Sequence, residues 1–438
     1  MQTVKFFTLG CKVNQYDTQE LRERFIRCGF QELTNGRKAD IYVINTCTVT
    51  SSADRKSRHL IHDARRHNPR AKIIVTGCYT ELNEREIAKI SGVTHIVRSK
   101  NKDKIFDLLN GHNAQNELPL YRQAGTNTNA GGITNFHGHT RVFLKIQDGC
   151  DNFCAYCKVP LVRGALKSKP LDKIRGETSR LVESGFKEIV LCGICLGAFG
   201  RDLKNRIDLV DAIEALEGIE GLMRIRLSSI EANDISDRLV AKLAKSNFAC
   251  RQRGKLCRHL HIPLQSGDDE ILEKMHRKVT RQDYSALIRT IKNSVPGIAV
   301  TTDVLVGFPG EDEVNFENTL SMVKEILPLR VHIFPYSPRE GTAAYSLKNR
   351  INPIQIKERI LRLQNIAHTL SCTYKRQFIG QDMEVLIEGR SKENEDCWEG
   401  YADNYIKTWV KSEEDLRNQL IRVKLEKISG DSMEAVFY

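Results

Sequence analysis

Three cysteines stand close together in Gly149-Cys150-Asp151-Asn152-Phe153-Cys154-Ala155-Tyr156-Cys157. The spacing C-x3-C-x2-C puts three thiolates on one tight loop, close enough to bind three irons of a four-iron cluster. No fourth cysteine lies nearby, so one iron keeps an open position for a small molecule. A zinc knuckle is the competing reading. Structural zinc normally closes a four-ligand shell, and here only His137 or His139 upstream could complete one, through an unusual loop.

Three further cysteines each follow a short apolar run directly, in Thr8-Leu9-Gly10-Cys11, Asn45-Thr46-Cys47 and Thr76-Gly77-Cys78. If those runs are parallel strands of one sheet, their ends share the edge where ligands bind in such folds. Gly10 and Gly77 would let the backbone approach a bulky cluster. Three buried core cysteines are the bland alternative, and three equivalent strand ends speak against it. With only three ligands, this cluster too would have an exchangeable iron, as a site that binds, methylates and transfers sulfide requires.

The chain has 13 cysteines, an odd number. In a reducing cytosol that count points to metal or redox chemistry, not to a disulfide framework. Cys28, Cys250, Cys257, Cys372 and Cys397 read as structural or incidental. Cys192 and Cys195, in Leu191-Cys192-Gly193-Ile194-Cys195, lie near the expected cofactor edge and read as packing residues in preference to adventitious ligands.

The elements that must position these residues follow from hydrophobic patterning. A length of 438 residues calls for two or three domains. In residues 1–113, apolar runs at 4–9, 41–45, 73–76 and 94–97 alternate with helical patterns, as in a parallel sheet with crossover helices. Residues 114–137, with Gly125-Thr126-Asn127-Thr128-Asn129-Ala130-Gly131-Gly132, read as a linker. In residues 138–368, strands are expected at 141–146, 188–191, 224–227, 259–264, 299–306 and 330–334. Six βα units suggest a partial barrel with active residues at the C-terminal strand ends. After a charged helix near 354–370, residues 369–438 carry short strands at 381–387, 405–410, 421–425 and 434–438, fitting a small antiparallel barrel or sheet. The fold class is α/β.

The core cysteine loop is the signature of the radical S-adenosylmethionine superfamily, which the chain resembles here. The paired trios resemble the methylthiotransferase family over essentially the whole chain. Other matching segments are residues 160–164, His261-Ile262-Pro263-Leu264-Gln265-Ser266-Gly267, Asp303 with Gly307-Phe308-Pro309-Gly310-Glu311, and Phe334-Pro335-Tyr336-Ser337. The resemblance implies an N-terminal cluster domain, a radical core shaped as a partial (β/α)6 TIM-like barrel, and a C-terminal TRAM domain. It also implies two [4Fe-4S] clusters, held by Cys11, Cys47 and Cys78 and by Cys150, Cys154 and Cys157. One S-adenosylmethionine would methylate sulfur at the first cluster. A second, cleaved at the core cluster, would form the radical that removes hydrogen from adenine carbon 2. An electron donor and a sulfur source are needed as well, and the sequence names neither.

Thr8-Leu9-Gly10-Cys11-Lys12-Val13-Asn14-Gln15-Tyr16 looks like the MtaB branch of that family, which acts on N6-threonylcarbamoyladenosine beside the tRNA anticodon. The other branches act on isopentenyladenosine in tRNA or on a ribosomal-protein aspartate. Cys192 and Cys195, and Ala232 where Pro is common, depart from the usual pattern. For holding S-adenosylmethionine the candidates are Tyr156, Gly193, Ser229, Glu231 and Gln265, each with a structural alternative. No general acid or base can be assigned.

Charge agrees with a tRNA partner. The net charge is +12, with 20 Lys and Arg against 12 Asp and Glu in residues 1–113, and 10 against 14 in residues 369–438. Lys375, Arg376, Lys407 and Lys411 could still form a local basic patch, and Arg251-Gln252-Arg253-Gly254-Lys255 a phosphate contact, or all could be ordinary solvated surface. No apolar run approaches the ~18 residues that span a bilayer, and the N-terminal residues read as a strand, so a cytoplasmic protein is expected. The alternative of a different class is a non-catalytic, metal-dependent nucleic-acid-binding module.

Overall fold

A computed structural model describes residues 1–34, 36, 38–109, 131–246, 254–392 and 394–437. The strand Ile41–Thr46 is buried at every residue, which its Ile, Val and Tyr content dictates. It lies at the centre of a five-stranded parallel sheet, ordered Gln31–Glu32, Thr3–Thr8, Ile41–Thr46, Lys72–Gly77, Val93–Ile96. The helices Lys12–Arg27 and Ser51–His67 are the first two crossovers. The strand Gln31–Glu32 has only two residues and no apolar run to announce it.

The six expected central strands all form: Arg141–Lys145, Glu188–Cys192, Arg224–Leu227, His259–His261, Ala299–Val306 and Arg330–Pro335. They make two parallel three-stranded sheets. Parallel bridges between Ile225 and Leu256, and between Ser229 and His261, join the two into one open barrel wall. Its outer core is aliphatic, with Ile189, Leu191, Ile225, Leu260 and Val304 all buried.

The tail forms a closed five-stranded barrel, ordered Asp382–Arg390, Cys397–Ala402, Lys407–Lys411, Ser432–Phe437, Leu420–Ser429. It is antiparallel except where Lys407–Lys411 pairs with Ser432–Phe437 in parallel and closes the ring. Cys397–Ala402 escapes sequence reading because Glu399 and Gly400 interrupt its apolar character. Gly400 is required there, since a Cβ would stand 2.1 Å from the Leu386 carbonyl oxygen. The helix Pro353–Arg376, with proline in its first turn, connects the two barrels.

Residues 131–137 correct part of the expected linker. Ile133 and Phe136 are buried in the main core. The Ile133 and Thr134 N–H groups donate to Glu177 at 2.8 Å and Glu23 at 2.9 Å. The segment therefore straps helix Lys12–Arg27 to helix Leu171–Glu183. The rest of the expected linker lies outside the described residues.

The open barrel has a charged interior that the small barrel covers. Glu188 is fully buried and faces Arg226 at 2.7 Å, with Arg224 and Arg141 each at 3.8 Å. Arg224 and Arg226 also donate to the carbonyls of Glu384, Tyr401, Ala402 and Asp403 in the small barrel. Tyr405 stacks on His259 with ring centroids 4.4 Å apart, beneath Arg141 and Arg226. These groups lie near the N-terminal ends of their strands, so Tyr405 plugs that mouth. Among the described residues no helix is long and apolar enough to cross a membrane. Glu188→Ala should leave three arginines without their buried counter-charge. A loss of about 3–5 kcal/mol is expected in chemical denaturation.

Candidate active site

The register of the N-terminal sheet pairs Thr8 with Asn45, Asn45 with Thr76, and Thr46 with Gly77. The chain segments bearing Cys11, Cys47 and Cys78 therefore leave the sheet at one edge. Gly10 has φ +100°, and a Cβ there would stand 2.9 Å from both Cβ and Sγ of Cys47. Gly77 has φ +97°, and its Cβ would stand 2.4 Å from the Thr46 carbonyl oxygen. Asn14 fastens two of the loops, donating to Leu9 O at 2.7 Å and Thr46 O at 3.0 Å. Cys11 is exposed, whereas Cys47 and Cys78 are buried. Burial pushes the Cys47 thiol up to about 11, with the nearby Cys78 and Cys11 adding to the shift. Burial also raises Cys78, against the pull of the Arg163 guanidinium. Such thiols ionise only beside strong positive charge, as a bound metal provides.

The core trio hangs from a loop after strand Arg141–Lys145. Gly149 has φ +76°, and a Cβ there would meet the Ala165 carbonyl oxygen at 1.9 Å. The loop is pinned by Cys150 N to Gly164 O at 3.1 Å, Ala155 N to Met275 O at 2.9 Å, and Ala344 N to Ala155 O at 2.7 Å. The Val159 N–H points at Cys157 Sγ, 3.4 Å away. Burial pushes Cys157 up to about 12 and raises Cys154. His139 packs its ring against Phe136 and Phe143, and the exposed His137 stands beside it in the same strap, so neither joins this loop. The donor set is three thiols, which fits an open iron–sulfur cluster better than a closed zinc shell.

Cys192 is buried, and burial pushes its thiol far up, with Cys11 adding to the shift and Lys12, Lys145 and Lys169 opposing it. Cys195 differs. Its thiol interacts with that of Cys150, which is held down while Cys195 is driven up. It also approaches Asp234 at 3.5 Å and Asn152 at 3.6 Å.

The proposed S-adenosylmethionine contacts fare unequally. Tyr156 is carried within the cysteine loop and packs beside Phe308 and Ala344. Glu231 accepts from Arg277, whose Nη1 lies 3.7 Å from Cys154 Sγ, so it faces the core trio. Gln265 sits in the left-handed region at φ +70°, held by Gln265 N to Asp303 O at 2.8 Å. Ser229 is exposed at the end of its strand. Among the described residues no hydrogen bond joins Ser229 or Gln265 to the cysteine loop. Above Gly193 the space belongs to Gln147, whose Oε1 would stand 2.7 Å from an added Cβ. Gln147 therefore requires glycine there, whatever else approaches.

Sequence reading passed over the residues that join the two trios. Arg163 donates from Nε to Cys78 Sγ at 3.2 Å, and from Nη1 to Asp17 at 3.1 Å and Asp148 at 3.2 Å. Asp17 is buried on the helix that follows Cys11 and also receives Lys102 and Lys145. Those cations hold its carboxyl far below the usual range. Arg339, after the last barrel strand, donates to Thr48 O at 2.9 Å and Asp54 at 2.6 Å, bracing the Cys47 loop. Of these, only Arg163 lay within a matching segment, residues 160–164.

The segment 3–99 matches the model of a family described as uncharacterized protein family UPF0004. Residues 144–323 match the radical SAM superfamily. The chain is 38% identical to the threonylcarbamoyladenosine tRNA methylthiotransferase MtaB of Bacillus subtilis (strain 168), over all of this chain and 96% of that protein. The chain belongs to the methylthiotransferase family of radical SAM enzymes. It is 35% identical to the protein of the same name from Thermotoga maritima, over 93% of this chain and 91% of that one. The tRNA-2-methylthio-N(6)-dimethylallyladenosine synthase of Bacillus subtilis is 32% identical, over 98% and 85%. Among solved structures, the radical S-adenosylmethionine methyltransferase TsrM of Kitasatospora setae aligns with a TM-score of 0.55 over 78% of this chain and 77% of that one. At 15% identity that likeness concerns the fold alone. Membership makes the chain a transferase that uses S-adenosylmethionine and a [4Fe-4S] cluster.

Gly77→Ala should force a left-handed backbone and a clash at the trio's edge. A cost of about 1–3 kcal/mol is expected in thermal unfolding of the full chain.

Proposed function

We propose that this methylthiotransferase converts N6-threonylcarbamoyladenosine next to the tRNA anticodon to its 2-methylthio derivative, using two [4Fe-4S] clusters. The observation that carries the reading is the pair of three-thiol sets joined through Arg163. The full-length likeness to threonylcarbamoyladenosine tRNA methylthiotransferases supports the substrate. Cys11, Cys47 and Cys78 would hold one cluster, and Cys150, Cys154 and Cys157 the other. Bound there, the clusters supply reductive cleavage of S-adenosylmethionine and a place for the sulfur that is methylated.

The protein's own part is orientation and charge. Arg163 and Arg277 each direct an N–H at one sulfur of a trio, favouring the thiolate over the thiol. Glu231, fixed by Arg277, offers a carboxylate oxygen beside the core loop to the amino group or ribose hydroxyls of S-adenosylmethionine. Tyr405 and the arginine–glutamate network close the barrel mouth and exclude water from below.

For tRNA, the C-terminal patch expected from sequence is smaller than foreseen. Lys375 is buried and donates to Asp431 O at 2.8 Å, and Lys407 pairs with Glu399 at 2.8 Å. Of the basic insertion, Lys255 donates to Ile219 O, while Arg251, Gln252 and Arg253 lie outside the described residues. Phosphate contacts fall instead to the basic first two thirds of the chain.

Mass spectrometry of tRNA nucleosides from cells lacking the protein should show loss of the 2-methylthio-threonylcarbamoyl nucleoside. Its persistence, with loss of the dimethylallyl counterpart, would reassign the substrate. After anaerobic reconstitution about eight irons per chain are expected, and about four once Cys11, Cys47 and Cys78 are replaced by Ala. One or two zincs without cleavage of S-adenosylmethionine would indicate a binding module. Arg163→Ala should weaken iron retention against a chelator about tenfold.

A further inference from the structure

The inner wall of the open barrel carries a cluster that no step above uses. Asp303 and His332 lie directly opposite each other in the pairing of Ala299–Val306 with Arg330–Pro335. His261, from the adjoining strand, places Nε2 3.1 Å from Asp303 Oδ1. The His261 and His332 ring centroids are 5.5 Å apart. One nitrogen or oxygen atom from each of the three residues lies within 4.8 Å of the others. Thr301 Oγ1 fixes the His261 ring through Nδ1 at 2.9 Å. His332 remains exposed to the opening.

The charges around this cluster are unbalanced. Arg141, Arg226 and Lys145, which share the interior, all have carboxylate partners. Lys12 and Arg330 have none among the described residues. The Lys12 ammonium stands over the Phe143 ring at 5.8 Å, and its field reaches His259, His332 and Tyr405. That of Arg330 reaches His332 and Tyr401. Lys12 directly follows Cys11, so the cluster lies beside the trio assigned to sulfur donation. An interior with two unneutralised cations and a His–Asp–His group suits an anionic ligand with further hydrogen-bonding groups. A divalent cation would add to the positive excess and would have to break the existing His261–Asp303 contact.

We propose that Lys12, His261, Asp303 and His332 form the subsite for the acid-bearing substituent on the target adenosine. This rests on the substrate reading above. Lys12 pairs with the carboxylate of the threonylcarbamoyl group, and His332 and Asp303 bond its hydroxyl and amide groups. An apolar dimethylallyl group would leave Lys12 without a counter-charge in a partly dry barrel, which makes the subsite a basis for choosing between the two kinds of tRNA.

The test measures equilibrium binding of two anticodon stem–loop RNAs by the reconstituted full chain, using fluorescence anisotropy. The RNAs differ only in having N6-threonylcarbamoyladenosine or plain adenosine at the target position. Wild type should bind the modified RNA about tenfold more tightly. Lys12→Met and His332→Phe should each erase most of that preference while leaving affinity for the plain RNA unchanged, and Lys12→Arg should restore it in part. Equal weakening toward both RNAs in both variants, or a preference that survives in both, overturns the subsite. Wild type binding both RNAs equally also overturns it, while the nucleoside analysis decides the substrate independently. Stoichiometric zinc or manganese bound by wild type and lost in His332→Phe, with the preference intact, makes the cluster a metal site instead.

Discussion

The arrangement depends on one buried cation. Arg163 reaches a thiol of the N-terminal trio, Asp17 on the first helix, and Asp148 just before the core cysteine loop. A guanidinium can do this because its planar fork presents five donors and keeps its charge when buried. Asp17 is nearly inaccessible, and its charge survives only because Arg163, Lys102 and Lys145 surround it. Position and ionisation are therefore coupled. The group that orients one trio toward the other also favours the thiolate that metal chemistry requires.

The same logic runs down the barrel. Its inner wall carries Arg141, Lys145, Glu188, Arg224 and Arg226 where an ordinary barrel of this kind would be filled by aliphatic layers. Each of these charges is paired or hydrogen-bonded, several to backbone carbonyls of the C-terminal barrel. The small barrel thus satisfies the core's interior. Tyr405 adds an aromatic face on which Arg141 and Arg226 rest. An interior kept polar in this way accepts a nucleoside more readily than a packed one would.

Legibility followed local signals. Fourteen strands were foreshadowed by β-branched runs, among them the six of the open barrel, while Gln31–Glu32 and Cys397–Ala402 were not. The first is too short to carry a pattern, and the second mixes charge and glycine into its alternation. Ile133 and Phe136 lay inside a segment whose glycines suggested a linker, yet their contacts with distant helices bury them. Lys375 looked like surface from its neighbours in sequence, and only the turn at Asp431 takes it inside.

By itself, the sequence determined the two cysteine sets, the order of strands and helices, and the family. Spacing on a loop and placement after apolar runs are local properties that a chain carries before it folds. Tertiary structure alone decided how the sets are joined. Asp17 and Arg163, His261 and His332, and Glu188 and Arg226 lie far apart in sequence and carry no shared periodicity. Their partnership arises only when parallel strand ends and barrel walls bring them within bonding distance, where burial makes each charge depend on its neighbours.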